Sequence, residues 1–140
     1  MITTAGRQAA VVDVLTTLSL GVIAAALNIG FYESVHSIAC ALTGSEVEGL
    51  SALAAYCDLA GETTRRTVAF SAPLVNLIIG TVLFLFLRRR PAPVGMGWYF
   101  LWLLMLMNWL AGSGYFLFSG VAGVGDMAVV IDGLEPGWLW

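Results

Sequence analysis

The sequence predicts an all-α integral membrane protein with three to four transmembrane helices, one of them either continuous or broken and re-entrant. Three observations carry this expectation. Hydrophobic residues make up 59% of the 140-residue chain and charged residues 11%, against roughly 25% charged in ordinary soluble domains. Mean hydropathy is +0.90. The apolar residues gather into long runs, separated by short stretches rich in charge, glycine and proline. In a bilayer the backbone must satisfy its own hydrogen bonds, so such runs fold as helices. A single domain over residues 1–140 is expected, without a separate soluble unit.

The first apolar stretch runs from about 9 to 42, longer than the roughly 20 helical residues that cross a hydrocarbon core. It must tilt, break or overhang. Gly30 is the weak point, so Tyr32 to Cys40 either continues one long helix or forms a second helix bent back into the protein. Arg7 is followed by Asp13 and then by a run too long for a signal h-region, so the segment is expected to stay in the protein. Thr43-Gly44-Ser45 reads as a helix stop. Residues 44–64, with Glu46, Glu48, Asp58 and Glu62, form an acidic loop with room for a short surface helix.

The second span covers about 67–87 and contains Pro73, expected to kink it, and Asn76. Arg88-Arg89-Arg90-Pro91-Ala92-Pro93 marks its exit from the membrane. The third span covers about 98–118, with Trp98, Tyr99 and Trp102 as an interfacial belt at one end and Asn108 near its middle. Gly112, Gly114, Gly120, Gly123 and Gly125 permit close helix approach or a re-entrant turn, without the spacing of a phosphate loop. Trp138 and Trp140 read as a second interfacial anchor or as the start of another segment.

Charge narrows the function classes. The net charge is −3 and the one basic cluster is Arg88 to Arg90, a topology signal, so nucleic-acid binding is set aside. The two cysteines, Cys40 and Cys57, are expected to be free thiols, with a disulfide as the alternative. With three spans, Arg7 and Arg88 to Arg90 share one side and the acidic loop the other, which by charge bias puts the amino terminus in the cytoplasm.

The chemistry concentrates in Tyr32-Glu33-Ser34-Val35-His36. In HEXXH, two histidines four apart on a helix bind zinc, and the glutamate beside the first activates a metal-bound water. Here Tyr32 stands at the first position. On a helix Glu33, His36 and Cys40 fall at i, i+3 and i+7, and Asn28 lies one turn before Tyr32, so a polar stripe runs down an apolar helix. Such a stripe should face protein or a wet cavity. Asn28, Asn76 and Asn108 are expected to serve as structural hydrogen-bonding residues between helices. A lone membrane histidine also suits haem or chlorophyll, but Glu33 gives His36 a local reading, which makes a pigment the weaker alternative.

The Tyr32–His36 segment, followed by a helix ending in Leu42-Thr43-Gly44, resembles the HEXXH helix of the M50-type, site-2-protease-like membrane zinc metallopeptidases. Ser71-Ala72-Pro73-Leu74-Val75-Asn76 resembles the small-Gly-Pro-x-x-Asn signature of that family, with Ala72 at the usual glycine. Phe118-Ser119-Gly120-Val121-Ala122-Gly123-Val124-Gly125-Asp126 resembles a later stretch that ends in a Gly-Asp pair. The resemblance implies Glu33 as the catalytic base and His36 and Asp126 as metal ligands; Cys40, one turn past His36, or the Tyr32 phenolate would be a weaker substitute for the missing histidine. It also implies the opposite orientation for the motif helix, which a broken first segment would reconcile with the charge bias.

Because Tyr32 removes a ligand, the expectation is a metallopeptidase-like protein that has lost zinc catalysis. It would act as a non-catalytic membrane binding or accessory subunit of a larger membrane complex. No cofactor is expected, zinc being the one left open. The expected partner is another membrane protein, docking on the exterior of the second and third spans at Trp102 and Trp109. The alternative is an active zinc-dependent intramembrane endopeptidase with an atypical metal site, and a transporter component is a third, weaker reading. The expected location is a membrane, the bacterial cytoplasmic (inner) membrane.

Overall fold

A computed structural model describes residues 13–89 and 95–134. The expectations for Arg7, for Arg90 to Pro93 and for Trp138 and Trp140 fall outside the described residues. The chain order is helix α1 (Val14–Leu42), strands β1 (Glu46–Leu50) and β2 (Ala55–Asp58), and helices α2 (Glu62–Arg89), α3 (Met96–Ala122) and α4 (Asp126–Ile131). Helices α1, α2 and α3 are long and apolar enough to cross a membrane. These are the three such helices among the described residues, the composition of a membrane protein. Helix α4 has six residues and is too short to be a fourth.

Helix α1 starts where Asp13 accepts the Thr16 N–H at 2.8 Å and the Thr16 hydroxyl at 3.1 Å. These bonds hold the Asp13 carboxyl below the usual carboxylate range. The helix then runs unbroken for 29 residues, so the broken or re-entrant segment at Gly30 is not found. A glycine costs a membrane helix about 1 kcal/mol, less than the several kcal/mol of leaving a backbone group unpaired in lipid. At 1.5 Å per residue α1 is about 44 Å long, about 14 Å more than a hydrocarbon core. His36, about 9 Å from its end, therefore lies near the edge of the apolar layer.

Thr43 closes α1 with its N–H on the Ala39 carbonyl at 3.0 Å, and Gly44 turns the chain at φ 76°. The acidic segment is then a β-hairpin, a correction to the all-α expectation and to the surface helix. Glu46 pairs with Asp58 and Leu50 with Ala55, with a bulge between Val47 and Gly49. Alternation of Glu46, Val47 and Glu48 is a strand period, and the Ser51 hydroxyl accepts the Leu53 and Ala54 N–H groups to shape the turn.

The three spans pack up-down-up. His36, late in α1, meets Val68, early in α2, and Gly80 and Phe84 of α2 meet Trp109 of α3. Lipid is as apolar as leucine, so close contact between small residues does what burial does in water. A β-carbon at Gly112 would sit 2.6 Å from Leu77 Cγ and 2.9 Å from the Pro73 carbonyl oxygen. Trp109, expected on the exterior, instead covers Gly80 and is half-buried between α2 and α3. Trp102 remains exposed.

The exterior is apolar, and the interior mixes small or apolar residues such as Ala24, Ala72 and Met105 with the polar Asn28, His36, Asn76, Asn108 and Ser119. On α1 the buried residues are Ala24, Asn28, Tyr32, His36 and Cys40, every fourth position, while Val22, Leu27 and Phe31 face outward. The stripe described above is the face that α1 turns to the other elements.

Candidate functional site

Four elements line an open cleft of about 460 Å³ at the hairpin end of the bundle. Helix α1 supplies Tyr32, Glu33 and His36, the hairpin Ala55, α2 Arg65 and Val68, and α4 Asp126. Asp126 is 90 residues from His36 in sequence, and the fold brings them into contact.

Gly123 and Gly125 make this approach achievable. Both have positive φ, 65° and 87°, so α3 ends, the chain reverses, and Asp126 opens α4 facing α1. Helix α4 is fastened from two sides. Met127 is buried, and Arg66 of α2 donates to the Asp132 carbonyl and to Glu62, while Arg65 lies 4.0 Å from the Asp132 carboxylate.

The centre is a hydrogen-bonded triad. The Tyr32 hydroxyl donates to Asp126 Oδ2, and His36 Nε2 lies 3.1 Å from the same oxygen. The Tyr32 and His36 rings meet edge to face with centroids 4.9 Å apart. His36 Nδ1 lies 2.9 Å from the Val68 carbonyl. A carbonyl only accepts, so Nδ1 carries a proton and the ring is fixed with Nε2 toward Asp126; the carboxylate also only accepts, so Nε2 donates to it when the ring carries its second proton.

Glu33 is held differently. Its Oε2 accepts the Ala55 N–H of the hairpin at 2.9 Å, so the carboxylate on the cavity wall is tied to the hairpin backbone. Cys40, one turn beyond His36, forms a disulfide with Cys57 of β2. The expectation of free thiols is overturned, and with it Cys40 as a metal ligand, because a disulfide sulfur has no thiolate to offer. The disulfide and the Glu33–Ala55 bond together clamp the hairpin over the cavity.

The donor set does not fit a catalytic zinc. Such a site uses three protein ligands and one water. Here His36 and Asp126 meet, Cys40 is closed in a disulfide, and Tyr32 is a phenol, which releases its proton far less readily than a second imidazole offers a lone pair. Among the described residues no group of three His, Cys, Asp or Glu side chains is placed to share a metal.

The three asparagines lie elsewhere. Asn76 is 0% exposed with neither amide atom partnered. Asn108 donates to the Leu104 carbonyl at 2.8 Å and leaves its Oδ1 unpartnered, and Asn28 leaves its Nδ2 unpartnered. The expected hydrogen bonds between helices are therefore not made by these atoms.

Sequence reasoning missed the Val68 carbonyl, the Ala55 amide and the hairpin roof. The first two are backbone groups, which no residue type reveals. The roof had a signal in the alternation of Glu46, Val47 and Glu48. No protein-family model, curated protein or solved structure matches this chain.

Proposed function

We propose that the chain is a metallopeptidase-like membrane scaffold that does not perform zinc hydrolysis and acts as a binding or accessory subunit of a membrane complex. The observation that carries this reading is the Tyr32–Asp126–His36 triad. The positions that the M50-type resemblance assigns to three zinc ligands meet in space, but the first bears a phenol that donates to the third. One carboxylate oxygen of Asp126, Oδ2, already serves both partners within the protein. The triad then acts as a structural tie among α1, α2 and α4, and keeps the hairpin end of the bundle rigid enough to present a fixed surface.

The charge bias places Arg88 and Arg89, at the far end of α2, in the cytoplasm. The hairpin and the triad then face the opposite side, which for a bacterial inner membrane is the oxidising periplasm. The Cys40–Cys57 disulfide agrees with that placement. The partner surface is lipid-facing and includes Trp102, with Trp109 removed from it by its packing on Gly80.

One observation favours the second reading, an active intramembrane zinc endopeptidase. The Val68 carbonyl orients His36 through Nδ1, the arrangement that metal-binding histidines use to present Nε2. Glu33 lines the same cavity. Cleavage of a membrane-segment peptide by the reconstituted protein and its Glu33→Gln variant separates the two readings. The scaffold reading expects no hydrolysis that depends on Glu33. Turnover by the wild type that disappears in Glu33→Gln overturns it.

A further inference from the structure

The hairpin runs back toward the bilayer. Two fastenings set its course along α1: the Cys57 sulfur is bonded to Cys40, near the end of the helix, and the Ala55 N–H donates to Glu33, about two helical turns earlier. From Cys57 to Ala55 the strand therefore descends α1. The turn at 51–54, between the paired Leu50 and Ala55, lies at the level of Glu33 or nearer the membrane centre.

Glu33 lies about 14 Å from the end of α1 at 1.5 Å per residue. The helix exceeds a hydrocarbon core by about the same length, and the Asp13 carboxylate caps its other end, which keeps that end out of the core. With all the excess at the hairpin end, Glu33 stands at the edge of the apolar layer. Any share of it at the Asp13 end moves Glu33, and the turn with it, into that layer.

The tip suits that depth. Residues 49–57 carry no charge, while Glu46, Glu48 and Asp58 stand at the base of the hairpin. Leu50 is 54% exposed, Leu53 76% and Tyr56 59%. The turn also meets its own polar groups. The Ser51 N–H donates to the Ala54 carbonyl at 2.8 Å, and the Ser51 hydroxyl accepts the Leu53 and Ala54 N–H groups at 3.2 and 3.0 Å. With the Ala55 N–H on Glu33, this is the internal pairing that lipid demands of a backbone and that an aqueous turn can leave to water.

Phe31 and Ile38, on either side of Glu33 along α1, are exposed too, so lipid that meets α1 at this depth meets the tip as well. We propose that the hairpin tip, with Leu50, Leu53 and Tyr56, is a lipid-binding foot. It enters the upper acyl-chain layer of the leaflet opposite Arg88 and Arg89, and its partner is bilayer phospholipid. This contact goes beyond the accessory-subunit reading and holds whether or not the triad binds zinc; what it needs is that α1 spans the membrane.

The test uses the full chain in phosphatidylcholine vesicles, with Leu53→Cys labelled by an environment-sensitive nitrobenzoxadiazole maleimide and the native disulfide left unreduced. Ala52→Cys gives a second tip position and Glu48→Cys the reference at the hairpin base. A single label per chain shows that Cys40 and Cys57 stay paired in each variant. Both tip labels should emit blue-shifted and lose most of their emission to phospholipid carrying a nitroxide on the upper acyl chain. The label at position 48 should emit as in water and be quenched by aqueous iodide instead. Water-like, iodide-quenched emission at either tip position overturns the proposal. Blue-shifted emission that the nitroxide lipid leaves unquenched overturns it in favour of a protein contact, a second copy of this chain.

Discussion

Tyr32 and Asp126 are joined by a side-chain hydrogen bond that spans 94 positions of the sequence. The acceptor is the oxygen that His36 Nε2 also approaches, so one carboxylate ties two residues of α1 to the start of α4. Tyr32→Phe removes the donor while keeping the ring against His36. The expected loss is about 1–3 kcal/mol of stability, the range for leaving a partly buried charged acceptor short of a partner. Thermal unfolding in detergent of Tyr32→Phe, Asp126→Ala and the double variant checks it. The pair should be coupled by about 0.5–3 kcal/mol, and strict additivity would count against the triad as a unit.

The contact of α2 and α3 depends on Gly80 of α2 and Gly112 of α3. At Gly112 an added methyl meets Leu77 and the Pro73 carbonyl oxygen, and the backbone oxygen cannot step aside as a flexible side chain would. Gly112→Ala should destabilise the protein by about 1–3 kcal/mol, the usual cost of overpacking. Gly114, on the same helix, has nothing within 4 Å of the position its β-carbon would take. Gly114→Ala should therefore leave the unfolding midpoint unchanged or raise it slightly. Equal losses at both positions would contradict the packing described.

The hairpin is held by a covalent and a polar clamp. Cys40 and Cys57 are 17 residues apart, and a cross-link closing a loop of that size contributes about 3 kcal/mol in the chain-entropy account. Neither cysteine should react with maleimide in the unreduced protein. After reduction both should become reactive, and a membrane-impermeant reagent should reach Cys57 only from the side opposite Arg88 and Arg89. Cys57→Ser should lower the unfolding midpoint to that of the reduced wild type. Labelling before reduction, or from the arginine side, would contradict the disulfide or the orientation.

The sequence made the spans readable because hydropathy and length act on whole segments, and the three apolar runs became α1, α2 and α3 within a few residues. The every-fourth spacing of Asn28, Tyr32, His36 and Cys40 likewise identified one polar face, and that face is buried. Gly30 left a continuous and a broken helix both open, and the continuous one is found because a glycine in a membrane helix leaves the backbone bonds intact, and those bonds outweigh its entropy. The hairpin was hidden by its acids. Glu46, Glu48 and Asp58 read as a solvated loop, although their alternation with Val47 and Cys57 also suits strands. The Cys40–Cys57 bond depended on that hairpin, since β2 is what carries Cys57 back to α1. Trp109 was placed outside because its aromatic bulk suits a partner surface. Only the fold shows the flat space over Gly80 that takes it.

Zinc per chain in detergent-purified wild type and Tyr32→His tests most directly the proposal that the triad is a zinc site altered at one position. Restoring histidine supplies a third ligand beside His36 and Asp126, which already meet. Little zinc is expected in the wild type and close to one zinc per chain in Tyr32→His, lost again when His36→Ala is added. Stoichiometric zinc in the wild type, removed by His36→Ala and by Asp126→Ala, would contradict the loss of metal chemistry. Absence of zinc from Tyr32→His would contradict the metallopeptidase-like scaffold itself.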